Sequence, residues 1–260
     1  MTDHAPPARQ ALVAETLTAL NRVGCVLLTT HVNADGDGAG SEVALAAWLR
    51  ALGKEAWIIN PTPFPDTLSF LLPGSEWMLD PGSNRAKEVL RSADLAVVLD
   101  TGEIPRIGPV RELIRGLPTV VIDHHPEGPD PIPGVSFRDP GACATGELVY
   151  EVIQAAGGPW PEEVVRGLYV AILADTGSFR FSNTSPKAHE IVADLIRRGA
   201  DPEPLYRELY GNLPLRKLKL VQAALGELEV DPGGDVAWMT VPTQAFDELG
   251  ATADDIEGLV

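Results

Sequence analysis

Apolar positions along this chain gather into short continuous runs separated by stretches of helical periodicity. Residues 25–30 (CVLLTT), 56–59, 95–99 (LAVVL) and 119–122 (TVVI) are runs without polar alternation. Strands of that kind are covered on both faces, as in parallel sheets. Between them, residues 39–52 place Val43, Ala46, Ala47 and Leu49 at helical spacing, with Gly53 as a C-cap. Residues 61–82 are rich in proline and glycine and read as loops and short helical turns, whereas 147–156 and 161–174 read as helices. Strand alternating with helix predicts an α/β fold, a mostly parallel sheet with helices on both faces.

The texture changes at Ser185. Ser185 and Pro186 fit an N-cap followed by proline at the first helical position, opening a helix to Arg198 that closes at Gly199. Two further helices are expected over 202–210 and 215–228, then a turn at 231–234 (DPGG), a strand over 236–241 and a short helix over 242–249. These signals divide the chain into a catalytic domain (1–185), a helical linker (186–230) and a small C-terminal α/β lobe (231–260). The lobe is too short to bury a core of its own and reads as incomplete.

Composition narrows the chemistry. Lys and Arg number 20 against 37 Asp and Glu, a net charge of −17. Such a surface repels a long polyanion, because non-specific nucleic-acid binding rests on basic contacts. A phosphate-bearing substrate should therefore be short, with its charge neutralised inside the site. The first residues, MTDHAPPARQ, hold no apolar run and do not read as a secretory signal. No stretch approaches the ~18–20 apolar residues that cross a bilayer, so a cytoplasmic protein without a membrane partner is expected. Two cysteines, Cys25 and Cys143, make no disulfide framework and read as small buried hydrophobes.

Histidine carries the functional signal. Of five, His4 lies in the terminus and His189 on an expected helix, and neither is assigned a role. The other three follow expected strands beside aspartate: His31 with Asp35 and Asp37 in HVNADGDGAG, and His124 and His125 after Asp123. Asp100 ends LAVVL and Asp175 follows the apolar helix LYVAIL. Capping explains any single aspartate after a strand. It does not explain imidazole and carboxylate delivered by four segments to the rim where open parallel sheets bind ligands. DGDGAG fits neither a dinucleotide loop nor an EF-hand, and its glycines read as turn chemistry. Mixed carboxylate and imidazole ligands suit Mn²⁺, Mg²⁺, Co²⁺ or Fe²⁺, and a pair of such ions turns an acidic crevice into a phosphate receptor. Neighbours on an extended segment point to opposite sides, so His124 can ligate while His125 faces a substrate phosphate.

Taken in order, HVNADGDGAGS, LAVVLDTGEIPRIG, VIDHHPEG and ILADTGSFRFSNTS resemble the motifs of the DHH phosphoesterase superfamily, in particular its bacterial oligoribonuclease/pAp-phosphatase branch. The likeness runs from about Val23 to Thr184. It implies two Mn²⁺, with Mg²⁺ or Co²⁺ as substitutes: one held by His31, Asp35 and Asp100, the other by Asp37, Asp100, His124 and Asp175, with Asp100 bridging. Asp123 would orient the histidines, and His125, Asp100 and Asp37 would carry the catalysis. Arg106, Thr176, Gly177, Ser178 and Arg180 become candidate substrate contacts beside His125. The implied substrates are very short RNAs, linear dinucleotides and 3′-phosphoadenosine 5′-phosphate (pAp), not long duplexes, and a homodimer is compatible with the resemblance. Ala34 stands where relatives often have proline, and the chain ends before the glycine-rich motif of a DHHA1 domain. Two alternatives stay open: a manganese pyrophosphatase of the same superfamily, and a regulatory module that holds metal and nucleotide without turnover.

Overall fold

The four apolar runs become strands, and a fifth joins them. β1 (Cys25–Thr29), β2 (Glu55–Ile58), β3 (Leu95–Leu99), β4 (Thr119–Asp123) and β5 (Val135–Arg138) form one sheet in the order β2-β1-β3-β4-β5. Every neighbouring pair is parallel; Val26 lies opposite Ala56 and Leu95, and Ile122 opposite Leu99 and Phe137. The computed structural model describes residues 7–212, 214–251 and 253–256. His4 lies outside them. Among the described residues no helix is long and apolar enough to cross a membrane.

The helices are α1 (Pro7–Asn21), α2 (Gly36–Ala51), α3 (Asn84–Ser92), α4 (Val110–Leu113), α5 (Thr145–Ala155), α6 (Glu162–Asp175), α7 (Pro186–Arg197) and α8 (Pro202–Tyr206). Leu27, Ala96, Val98 and Val121 pack on one face with Val89 of α3 and Val110 of α4. Alternate strand residues face the opposite way, toward a layer in which α2 packs against α5 and α6. The expected α/β architecture with helices on both faces is what forms. Helix α2 is buried at fourteen of its sixteen positions, which is why its sequence shows no polar stripe.

Several boundaries differ for physical reasons. Asp35 caps α2 and starts it at Gly36, three residues before the expected Ala39. The glycines of DGDGAG are therefore helical, and they serve close packing rather than a turn. A Cβ on Gly40 would lie 2.4 Å from the Gly167 carbonyl oxygen, and one on Gly167 would lie 2.5 Å from that of Gly40. Ser185 caps α7 by accepting from Ala188 N, and α7, expected as linker, packs on α5 and α6. Two compact units divide between Tyr206 and Arg207. The expected helix over 202–210 gives way after Tyr206 to a π-helical turn, Arg207–Gly211. The second unit contains α9 (Leu215–Gly226), a hairpin of β6 (Glu229–Val230) and β7 (Ala237–Trp238), and α10 (Thr243–Leu249). The strand expected over 236–241 shrinks to two residues. Helices α1, α3 and α4 and strand β5 add to the expected elements.

Candidate metal centre

In a sheet ordered 2-1-3-4-5 the chain reverses its winding direction between β1 and β3, and the crevice at their carboxyl ends receives ligands. His31 follows β1, Asp100 follows β3, and Asp123 ends β4 with His124 and His125 next in the chain. Asp35 and Asp37 open α2, and Asp175 closes α6. The structure brings all these candidates to one place.

Two groups of ligand atoms meet there. His31 Nε2 lies 3.7 Å from Asp35 Oδ2 and 3.4 Å from Asp100 Oδ2. His124 Nε2 lies 3.7 Å from Asp37 Oδ2, 3.6 Å from Asp100 Oδ1 and 3.8 Å from Asp175 Oδ2. Both Nε2 atoms are buried without a hydrogen-bond partner, an arrangement that ordinary packing avoids. In His31, Nδ1 lies 2.8 Å from the Val32 carbonyl oxygen. Donation there leaves Nε2 as a lone pair aimed at the carboxylates, as in metal-ligating histidines. Ligands at about 2.0–2.2 Å around a common ion stand roughly 3–3.5 Å apart, close to the spacings found. The donor set fits divalent ions.

Charge supports the same reading. Burial raises the Asp37 pKa well above the usual carboxylate range, and the nearby Asp100 carboxylate adds to it. Burial likewise lifts Asp100 to about 6, although His31 opposes the rise, and it raises Asp175. Burial disfavours the His31 imidazolium, but Asp100 and Asp35 outweigh it and carry the pKa to about 10. Asp35 is held down at about 2 against its burial, by His31 and by the amides of Gly38 and Asp37. Carboxylates crowded this closely ionise together only beside a cation.

Local structure aims each side chain. Asp35 divides its carboxylate: Oδ1 caps α2 through Asp37 N and Gly38 N, and Oδ2 faces His31. Asp37 accepts from Thr145 N at 2.6 Å, Gly146 N at 2.9 Å and Ser41 Oγ at 3.2 Å. Thr145 Oγ1 donates to Asp100 Oδ1, and Asn183 Nδ2 donates to Asp175 Oδ2. Asp123 Oδ1 accepts from His125 N at 3.1 Å and pairs with His125 Nδ1 at 2.8 Å. Its other oxygen lies 3.6 Å from Arg138 Nε. Thr145, Gly146, Asn183 and Arg138 were not singled out in the sequence. The small-residue run before α5 (ACATG) was the available sign that a helix begins there with free amides.

The substrate candidates separate. Arg106 sits beside the His31 turn, its carbonyl accepting from Val32 N, and its guanidinium has no bond among the described residues. Arg180 is exposed, with Nε donating to Gly177 O at 2.6 Å. The buried Thr176 hydroxyl donates to Ile172 O and accepts from Phe179 N, so it closes α6 and its proton is already committed. Ser178 lies in a left-handed turn just beyond. His189 packs 5.3 Å from the Phe179 ring, outside the cluster, and both cysteines are free and buried.

Residues 25–172 match the DHH family, N-terminal domain. A bifunctional oligoribonuclease and PAP phosphatase NrnA from Thermus thermophilus is 34% identical over 266 residues, covering 100% of this chain and 76% of that protein. Its Bacillus subtilis namesake is 28% identical, with 95% and 75% covered. The crystal structure of an exopolyphosphatase-related protein from Bacteroides fragilis superposes with a TM-score of 0.87 at 25% identity, over 96% of this chain and 75% of that one. The chain thus spans about three quarters of the length of these relatives. Motif order, sheet order and the matched residues agree, and the chain belongs to the DHH family.

Proposed function

We propose that this chain is a divalent-metal-dependent phosphoesterase. It releases 5′-mononucleotides from very short RNAs or linear dinucleotides, converts pAp to AMP, and works with two Mn²⁺. One observation carries the reading: Asp100 splits its carboxylate, Oδ2 toward the unpartnered His31 Nε2 and Oδ1 toward the unpartnered His124 Nε2. That is the disposition of a bridge between two sites. The names of the relatives support the substrate class.

His31, Asp35 and Asp100 would hold one ion, and Asp37, Asp100, His124 and Asp175 the other, with Mg²⁺ or Co²⁺ as substitutes. Bound ions supply Lewis acidity toward a phosphate oxygen and an attacking water. His125 does the work of the chain itself. With Nδ1–H given to Asp123, the doubly protonated ring would carry its second proton on Nε2, to donate to a phosphate oxygen or hand to the departing alkoxide. Asp123 orients that ring, and Arg138 stands on the other oxygen of Asp123. Arg106 offers an uncommitted guanidinium for a second phosphate.

The test is turnover of a 5′-labelled RNA dinucleotide, with and without Mn²⁺, beside pAp, pyrophosphate and a 24-nucleotide RNA. Metal-dependent mononucleotide release from the dinucleotide is the expected result. Cleavage of pyrophosphate alone would replace the reading with a pyrophosphatase. Metal binding without any product would leave a regulatory module.

A further inference from the structure

Phe181 is a large apolar side chain left 58% exposed in the loop that follows Asp175. It stands in a loop whose ends are tied to one carboxylate: α6 ends at Asp175, and Asn183 Nδ2 donates to both the Asp175 carbonyl and its Oδ2. Inside that loop Gly177, Ser178 and Phe179 all take left-handed backbone conformations, at φ 55°, 59° and 64°. Two of the three are not glycine, so the turn carries strain, and such strain persists only where surrounding bonds impose it. Here Thr176 imposes it. Its carbonyl accepts from Arg180 N and Phe181 N, and its hydroxyl accepts from Phe179 N.

The strained turn lays the Phe181 ring flat on Gly177. A Cβ on Gly177 would fall 2.5 Å from Cζ and 2.6 Å from both Cε atoms. Near-equal distances to those three atoms place that point over the centre of the ring, so one face rests on the glycine and only glycine permits it. The other face makes no ring or cation contact among the described residues. Exposing a phenyl ring brings no folding gain, yet the loop fixes its orientation.

We propose that the free face of Phe181 is a stacking platform for the base of the nucleotide whose phosphate lies at the Asp–His cluster. This assignment rests on the phosphoesterase reading and deepens it: it makes the ligand a nucleotide rather than a bare phosphate ester. Stacking is tolerant of base identity because every base offers a π-face. A protein acting on mixed short RNAs requires that tolerance.

AMP and ribose 5-phosphate, titrated calorimetrically into the Mn²⁺-loaded full chain, test it. Wild type should bind AMP about 5- to 100-fold more tightly than ribose 5-phosphate. Phe181→Ala should bring the two ligands within about threefold of each other, and Phe181→Trp should restore the gap. A ratio unmoved by the alanine, or an equal loss for both ligands with a lowered Tm, overturns the platform. Dinucleotide and pAp turnover, followed in parallel, separate the two claims. A wild type that prefers AMP but cleaves neither substrate rejects the phosphoesterase reading alone. One that cleaves but shows no preference for AMP rejects the platform alone.

Discussion

Asp100 occupies a left-handed backbone position at φ 61°, a conformation that costs most residues about 1–2 kcal/mol and asparagine least. Its burial, with the Asp35 charge adding to it, also raises its pKa. Asp100→Asn keeps the shape and the tolerated backbone while removing a charge. At pH 8 the metal-free variant should therefore melt at or above the wild-type temperature, by up to about 5 °C. On the proposed two-ion reading, in which Asp100 is the bridge, turnover should fall about a thousandfold. Paired melting and kinetic assays check this, and a large loss of metal-free stability would show that Asp100 is retained for folding. Asp123 invites a different substitution. Its Oδ1 orients the His125 ring while neither oxygen faces His31 or His124. Asp123→Asn should lower kcat about 10- to 100-fold and leave Mn²⁺ affinity within a few-fold of wild type. A kcat measurement beside a metal titration distinguishes that outcome from general damage.

The cluster depends on how closely α2 and α6 approach, because α2 carries Asp35 and Asp37 and α6 carries Asp175. Gly40 and Gly167 set that distance, each facing the other's carbonyl. Gly40→Ala should cost about 1–3 kcal/mol through overpacking, and by parting the helices it should weaken metal binding as well. Chemical denaturation and a metal titration measure the two effects; normal affinity in a destabilised variant would separate packing from function. The clustered residues were legible in the sequence because His31, Asp100, His124 and Asp175 each follow or close a buried run, and Asp35 and Asp37 open the buried helix next to His31. The elements between them were less so. The glycines of α2 read as a turn because glycine disfavours helix, and only the partner helix reveals why they are there. Strand β5 (VSFR) is short and polar at one end, and α4 is a single turn, so neither shows a usable period. Thr145 and Arg138 act through contacts made by the folding of separate elements, and Asn183 reaches Asp175 only through the turn between them, which one chain without relatives does not display.

At the scale of the whole molecule, protons, metal ions and substrate charge are linked. Asp37, Asp100 and Asp175 in the metal-free folded chain bind protons more tightly than in the unfolded chain, and so does His31, at about 10. Stability contributed by such groups is present at low pH and is lost as pH rises through the folded-state values. Asp35, at about 2, works in the opposite sense, and only in acid. Divalent ions take the same groups deprotonated, so their affinity climbs with pH. Melting in EDTA and in Mn²⁺ at pH 5 and pH 8 should show a gap that widens by several degrees at the higher pH; no gap at either pH would mean that the chain binds no ion, and a constant one that the ion sits away from these groups. The net charge of −17 then acts on what reaches those ions. Neutralising the cluster leaves the remaining acidic surface to repel a long RNA, while a dinucleotide brings too little charge to be excluded. Salt shortens the reach of that repulsion, from about 10 Å at 0.1 M toward about 3 Å at 1 M. Turnover of the 24-nucleotide RNA relative to the dinucleotide should therefore rise with ionic strength. A basic groove would give the opposite slope, because counterion release weakens its grip as salt increases.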